Sequence, residues 1–174
     1  FSRTDEYIFF VMHGNSAPKP LELDMEWKVT KDKRASGLRW AELMRTGAGS
    51  LRSDSPNLFY PIFICNTEEG PVFHSVGESY FGNKLEEIVP PEGCVAVWPI
   101  RSDKKEGRWQ TLPDKFRLLI EKGYARLGNW RKEKTAISYI KKGEQEKVEN
   151  GIFPILGRKQ DNSSLIDSSK YKPV

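Results

Sequence analysis

The apolar positions of this chain form short runs, most of them typical of β-strands. Six runs rich in β-branched and aromatic residues are bounded by turn-forming residues, and this pattern predicts strands. Gly70 and Pro71 favour a tight turn and a hairpin between two of the runs, and Gly128 with Asn129 favours a second hairpin. The predicted strands are residues 6–12, 59–66, 72–75, 93–100, 124–127 and 135–140.

Apolar residues first follow a helical spacing in residues 36–45. Trp40, Leu43 and Met44 lie three and four positions apart, which would place them on one buried face of a helix and turn the arginines of this segment towards solvent. Ser36 is the expected N-cap. We therefore predict a helix here, followed by a glycine-containing loop.

The second predicted helix covers residues 111–123. Thr111 is the candidate N-cap, and Gly123 is suited to the left-handed conformation that ends many helices. Beyond Leu156 the chain is polar and loses its periodicity, so residues 157–174 are expected to be a linker or frayed tail. Together these elements predict an α+β fold with a mixed or antiparallel sheet, two main helices and a polar C-terminal tail.

Length and composition set the class of protein. With 174 residues, of which 37% are hydrophobic, the chain suits one domain with its own core. It begins at Phe1, from which we expect a piece of a longer protein. No apolar run nears the roughly 20 residues that span a bilayer, so a soluble, cytoplasmic protein is predicted. Cys65 and Cys94 lie in apolar runs and are expected to be buried free thiols in a reducing compartment.

Charge is segregated along the chain. The net charge is only +4, but residues 28–52, the first basic segment, carry 7 basic and 2 acidic residues. Residues 101–142, the second basic segment, carry 13 and 5, whereas residues 53–100 between them carry 1 and 7. If the fold brings the basic segments to one side, they would form a positive face that suits nucleic acid. The alternative is an ordinary solvated surface.

Few residues are suited to catalysis. His13 and His74 are the only histidines, and no His, Cys, Asp or Glu residues recur at metal-ligand spacing. The glycines in residues 47–52 resemble the start of a dinucleotide-binding pattern, but they follow a predicted helix instead of a strand. The sequence therefore favours recognition over catalysis and predicts no bound cofactor.

Several side chains in and near the basic segments suit contacts with duplex DNA. Arginine can bind guanine, and asparagine adenine, through two hydrogen bonds, so Arg45, Arg52 and Asn57 are candidate base readers; Asn57 also suits the turn after Pro56. Cations near turns suit phosphate contacts, which set affinity without reading sequence. The predicted phosphate contacts are Lys104, Lys105, Arg108, Arg131, Lys132 and Lys134, and Arg39 and Ser50 complete the predicted DNA-binding set.

One stretch of the chain carries a family resemblance. Its residues are Arg45, Gly47, Ser50, Arg52, Asp54, Pro56, Asn57, Leu58, Phe59, Tyr60, Pro61 and Ile62. The stretch resembles the modification subunits of type III restriction-modification systems and the related β-class adenine-N6 DNA methyltransferases. Residues 98–100, 106–109 and 122–124 resemble later segments of these proteins, and residues 4–8 resemble the strand that follows their catalytic motif. Ser55 stands where relatives often carry a basic residue.

The resemblance implies that this chain is the target recognition region of such an enzyme. The family places a catalytic Asp-Pro-Pro-Tyr motif before this region and an S-adenosylmethionine-binding Phe-x-Gly-x-Gly motif after it, and neither occurs here. Residues 1–25 would then belong to the methyltransferase core, residues 26–157 would form the DNA target recognition domain, and residues 158–174 would lead back to the core.

The resemblance also implies the partners. The parent protein would be a site-specific, adenine-specific DNA methyltransferase that uses S-adenosylmethionine, while this fragment would be non-catalytic and would contact duplex DNA and the catalytic core of the same polypeptide. A restriction subunit or a second modification subunit is a further expected partner. Two alternatives remain: a protein-interaction module that docks such a subunit, and a small enzyme that uses His13 or His74.

Overall fold

The computed structural model describes residues 38–167 together with Gly14. In this part of the chain, two α-helices accompany three antiparallel sheets, which confirms the predicted α+β class. The strands are β1 (Trp40–Glu42), β2 (Ile62–Thr67), β3 (Gly70–Val76), β4 (Cys94–Val97), β5 (Ala125–Leu127), β6 (Ile137–Ile140), β7 (Ile155–Arg158) and β8 (Ser164–Ile166), and the helices are α1 (Pro113–Glu121) and α2 (Lys142–Glu149).

Several predictions fall wholly or partly outside the described residues. They are the strand at residues 6–12, the candidate His13, the Ser36 N-cap, residues 26–37 of the recognition domain, residues 168–174 of the polar tail and, apart from Gly14, the assignment of residues 1–25 to a methyltransferase core. Among the described residues, no helix combines the length and the apolar character needed to cross a membrane.

The first sheet has the order β3-β2-β4. β2 and β3 form the predicted hairpin, and Ile62 of β2 lies opposite Val76 on one side and Val97 on the other. Ile62 and Ile64 are fully buried, because alternate residues of a strand point to the same face. The strands predicted within residues 59–66, 72–75 and 93–100 are therefore confirmed.

This sheet also contains a disulfide that the sequence analysis did not predict. Cys65 of β2 lies directly opposite Cys94 of β4 in the strand register. Their Cα atoms are 4.0 Å apart and their sulfurs are bonded. The prediction of buried free thiols is wrong, because strand pairing brings together two half-buried side chains that are 29 positions apart in sequence.

The second sheet has the order β1-β6-β5. β5 and β6 were predicted, but the helix predicted over residues 36–45 is wrong for its described part, where β1 pairs antiparallel with β6 and Trp40 lies opposite Ile140. Leu43 continues this pairing by donating its N–H to the Ile137 carbonyl at 2.8 Å. Pairing with β6 bonds the backbone groups of the segment, and such a tertiary contact overrides a short helical spacing.

Helix α1 confirms the prediction for residues 111–123, with one correction. Its N-cap is Leu112, not Thr111; the buried Thr111 hydroxyl has no hydrogen-bond partner within the described residues. At the other end Gly123 adopts a φ of +74° as expected, and the next N–H, of Tyr124, bonds to the Leu119 carbonyl at 2.7 Å. This is the left-handed helix end for which glycine is favoured.

A C-terminal hairpin of β7 and β8 covers this end of α1. Asn162 Nδ2 donates to the Ile120 carbonyl at 2.7 Å, Arg158 Nη1 to the Glu121 carbonyl at 2.8 Å, and Ser164 N to the Gly123 carbonyl at 2.8 Å. These donors add partners for carbonyls at and just beyond the C-terminus of the helix, where backbone acceptors lack a full set of partners within the helix. The prediction of a frayed tail is therefore wrong for residues 157–166.

Helix α2 was not predicted, because only Val148 of its residues is buried and it therefore carries almost no apolar stripe. The core that unites the described elements lies between the first sheet, the second sheet and α1. Its fully buried large side chains include Leu43, Phe59, Tyr60, Ile62, Ile64, Phe116, Ile140 and Phe153.

Candidate nucleic-acid interface

The two basic segments meet in the folded chain. Met44 and Leu51, from the first segment, form antiparallel bridges with Trp109 and Gly107, from the second. Further backbone hydrogen bonds join the two stretches, from Arg45 N to the Arg108 carbonyl, from Arg52 N to the Glu106 carbonyl and from Gln110 N to the Leu43 carbonyl. Residues separated by more than 50 positions thus run side by side, as a common positive face requires.

Arg52 is held inside this pairing. Its Nη1 lies 2.9 Å from Glu106 Oε2, and its Nη2 donates to the carbonyls of Tyr80 and Gly82, each at 2.8 Å. The guanidinium carbon lies 4.2 Å from the centre of the Phe59 ring, and the side chain is only 12% exposed. Because base reading would require these bonds to break, the contacts favour a structural role for Arg52.

Ser50 and Arg108 are likewise engaged within the protein. Ser50 is 2% exposed, and its hydroxyl accepts a hydrogen bond from Arg101. Arg108 Nε donates to the Gly49 carbonyl at 2.6 Å, which fixes the glycine loop against the second basic segment. Arg101 also pairs with Asp103 at 3.3 Å. These groups shape the loop, and Arg101 is a residue that the sequence analysis did not select.

The remaining predicted cations of this face are exposed. They are Arg45, Lys104, Lys105, Arg131, Lys132 and Lys134. Lys104 has a φ of 63° and Lys132 a φ of 52°, and left-handed backbone costs a non-glycine residue roughly 1–2 kcal/mol. Two unfavourable conformations at lysines of two separate loops are typical of functional loops.

A cleft of about 730 Å³ lies between these two loops. We call it the basic cleft. Its rim carries Arg101, Lys104 and Lys134, with the carboxylates of Glu42 and Glu133 beside them. The floor is apolar and aromatic; it includes Met44, Ala96, Val97, Trp98, Ile100, Trp109 and Ile137. The cleft therefore combines phosphate-binding cations with a surface suited to stacking or to the apolar edge of a base.

Packing limits which aromatic rings could contact a ligand. Trp98 stacks on Phe59 with ring centres 5.1 Å apart and meets Tyr80 edge-on at 5.4 Å. Trp109 is 3% exposed and donates its indole N–H to the Tyr60 carbonyl at 2.8 Å. The half-buried Trp98 therefore offers the larger accessible surface.

Burial also fixes the protonation of two core tyrosines. Burial raises the pKa of Tyr139, an effect that the charge of Arg45 opposes. Burial raises the pKa of Tyr60 further, against the charge of Arg117, and its hydroxyl donates to the Thr111 carbonyl at 2.8 Å. Both phenols therefore remain neutral donors across the physiological range.

Of the eleven predicted residues, Lys104 and Lys134 line the basic cleft and the other nine do not. Arg39 is exposed and lines a different pocket, with Arg126 and Lys159. Asn57 lies in the 3₁₀-helix Pro56–Leu58, and its carbonyl accepts a hydrogen bond from Ser79 at 2.7 Å. The turn-forming interpretation of Asn57 is confirmed, and its exposed side chain remains available for a base contact.

Within the described residues, no group of three or more His, Cys, Asp or Glu side chains could hold a metal ion. His74 is exposed, and its Nδ1 lies 2.9 Å from the hydroxyl of the neighbouring Ser75. Comparison with known proteins adds no relative: no protein-family model, curated protein or solved structure matches this chain.

Proposed function

We propose that this chain recognises duplex DNA and chooses the target site for an S-adenosylmethionine-dependent, adenine-specific DNA methyltransferase that acts in the cytoplasm. The observation that carries the proposal is the antiparallel pairing of the two basic segments. Pairing places Arg45 and the Lys104 loop on adjoining stretches, and the basic cleft brings the Lys134 loop next to them. The three cationic loops would then contribute to one DNA-binding face.

The exposed cations would supply the affinity. Arg45, Lys104, Lys105, Lys132 and Lys134 are long, exposed side chains, and none of their charged groups lies within ion-pair distance of a carboxylate among the described residues. Each cation that neutralises a DNA phosphate releases condensed counterions. It thereby steepens the negative slope of log K against log salt by roughly 0.9. Five such contacts would give strong binding at low salt that falls steeply as salt rises.

Target choice would depend on fewer groups. Arg45 and Asn57 keep exposed side chains with two-donor or donor–acceptor heads, and one such pair discriminates between bases by roughly 1–3 kcal/mol. Arg52 would act indirectly, by holding the loop that carries Arg45. The methyl transfer itself, on a base turned out of the duplex, would belong to the rest of the parent protein.

Fluorescence anisotropy with a labelled duplex over a salt series tests this proposal. Replacing Lys104, Lys105 and Lys134 by glutamine should lower the slope of log K against log salt by about 3, one unit for each lysine. The control replaces the exposed Lys115, Lys141 and Lys142 by glutamine. This changes the net charge by the same amount, but these three lysines do not line the basic cleft. Equal losses in both triple variants would contradict a dedicated DNA face.

A protein-interaction role is favoured by a separate observation. The C-terminal hairpin exposes Ile155 at 48%, Leu156 at 64% and Leu165 at 45%, and neighbouring exposed apolar residues are typical of protein contacts. If the lysine variants bind DNA normally, while replacing these three residues by serine abolishes assembly with the parent protein's catalytic core or a restriction subunit, docking is the function of the chain.

A further inference from the structure

A second pocket is lined by residues of β1, β5 and the C-terminal hairpin, and all of its charged lining residues are cations. It has a volume of about 600 Å³ and is lined by Leu38, Arg39, Trp40, Arg126, Lys159, Ser163, Ser164, Leu165 and Ile166. We call it the arginine pocket. Three of its lining side chains are cations, two carry hydroxyls, and none is a carboxylate.

Arg126 is the central group of this pocket. It lies on β5, is half-buried, and stacks on the Trp40 ring with its guanidinium carbon 4.5 Å from the ring centre. Among the hydrogen bonds and ion pairs of the described residues, none involves its guanidinium. Buried polar groups are nearly always bonded, and charged ones are nearly always paired. A half-buried guanidinium with five free donors is therefore prepared for a ligand.

The nearest acids do not meet this need. Asp161 Oδ2 accepts from the Leu127 N–H at 3.0 Å, and Oδ1 accepts from the Ser163 N–H at 3.1 Å. Glu144 pairs with Lys147 at 2.7 Å. Burial lowers the pKa of Arg126, and the Asp161 charge opposes that shift without forming an ion pair. The half-buried Arg126 guanidinium therefore forms no ion pair or hydrogen bond with either carboxylate, although the Asp161 charge acts on it.

We propose that the arginine pocket binds a phosphate group, with Arg126 donating two parallel hydrogen bonds and with Arg39 and Lys159 neutralising the remaining charge. Guanidinium geometry matches a phosphate through two bonds. The stack on Trp40 fixes the orientation of the fork before the ligand arrives. A volume of about 600 Å³ exceeds the needs of the phosphate alone, and Leu38, Leu165 and Ile166 provide an apolar wall for an attached group.

This site is separate from the basic cleft. The two share no lining residue, and the inference does not rest on the proposed function. The phosphate could belong to the DNA backbone or to a small phosphate ester, because the oxyanion is the same in both cases. One set of variants distinguishes these sources.

The test is a titration with inorganic pyrophosphate. Binding is monitored through the NMR signals of the Trp40 indole and of the arginine Nε–H groups. Arg126→Gln should weaken binding roughly tenfold or more, since it removes two hydrogen bonds between charged groups. Arg126→Lys keeps the charge but loses the fork and should be intermediate. Lys115→Gln, on exposed α1 surface, should change nothing. Unchanged binding in Arg126→Gln would overturn the proposal.

A second variant protects the test against misfolding. Lys159 is exposed, so Lys159→Gln should fold normally; we expect it to weaken pyrophosphate binding about threefold. The Trp40 indole signal should remain the one that shifts most. Saturation shifts spread evenly over the arginine Nε–H groups, or no effect in Lys159→Gln and Arg126→Lys alike, would show that the site is not built for phosphate.

Duplex DNA then identifies the source. If Arg126→Gln weakens duplex binding by a similar factor, the phosphate is part of the DNA backbone; if duplex binding is unchanged while pyrophosphate binding falls, the ligand is a small phosphate ester. The triple replacement of Lys104, Lys105 and Lys134 should leave pyrophosphate binding unchanged in either case, so failure of this site and failure of the DNA proposal give different results.

Discussion

The two three-stranded sheets differ in how they are assembled and in the charge around them. β3-β2-β4 is built from residues 62–97, within a stretch that has 1 basic and 7 acidic residues. β1-β6-β5 joins residues 40–42 to residues 125–140 and is bordered by the cations of both basic segments. A net charge of +4 therefore hides two regions of opposite sign, and the local charge determines which region can meet a polyanion.

The sheets also depend on different bonds. The first is cross-linked by Cys65–Cys94 within its own strands. The second has no disulfide and depends on pairing between distant parts of the chain, with Trp40 of β1 opposite Ile140 of β6. The bonds of Arg52 separately hold the paired basic segments together. α1 packs on β3 and on β5 and so connects the two. The acidic sheet is stabilised locally and the basic region through long-range contacts.

Removal of the disulfide should have the largest effect on stability. Replacing Cys65 and Cys94 by serine opens a loop closed across 29 positions, for which the chain-entropy relation gives a loss of roughly 3–4 kcal/mol in the free energy of unfolding. Denaturant titration measures it. A reductant should destabilise the natural chain by a similar amount and leave the double-serine variant unchanged; equal stability of all forms would exclude a stabilising cross-link.

Arg52→Ala should follow, with a loss of about 3 kcal/mol. It removes a half-buried ion pair, leaves the Tyr80 and Gly82 carbonyls without their donor, and exposes the Phe59 ring. The matched control is Arg131→Ala, at an exposed position, with an expected change below about 0.5 kcal/mol. If Arg52→Ala changes the free energy of unfolding only slightly but alters the DNA target sequence, then Arg52 reads a base after all.

Gly123→Ala should cost about 2 kcal/mol and loosen the contact between α1 and the C-terminal hairpin. An added Cβ would lie 2.5 Å from Ser164 Oγ and 2.8 Å from the Asn162 carbonyl oxygen, at a φ of +74°. Gly151 has the same φ with nothing within 4 Å of the added Cβ, so Gly151→Ala measures the backbone cost alone, about 1 kcal/mol. Equal losses in the two variants would show that the hairpin moves aside freely.

The sequence could predict the elements that carry local signals, but not the features that depend on contacts between distant parts of the chain. β2, β3, β4, α1, β5 and β6 carry local signals: apolar runs, a turn, and a glycine at the helix end. β1 carries an ambiguous spacing, since Trp40, Leu43 and Met44 fit a helix, and only the presence of β6 decides between the two. The partner of Cys65 likewise depends on strand register, which a single sequence does not disclose.

The candidate interface shows the same limit at the level of single residues. Charge segregation along the sequence indicated which segments would be basic. It could not show that Arg52 pairs with Glu106, 54 positions away, or that Ser50 is buried. Nor could it select Arg126, a single arginine in a predicted strand, whose importance comes from Trp40 and from the absence of a carboxylate partner in the described structure.

Because the C-terminal hairpin is bonded to α1, the folded domain extends further towards the C-terminus than the change to polar sequence indicates. A shortened chain that stops at residue 157, where polar sequence begins, would delete Arg158, Asn162 and Ser164 and leave the carbonyls of Ile120, Glu121 and Gly123 without these donors. An independently stable fragment should therefore retain residues up to Asp167, and insertions or tags are better placed beyond that point than in the β7–β8 turn.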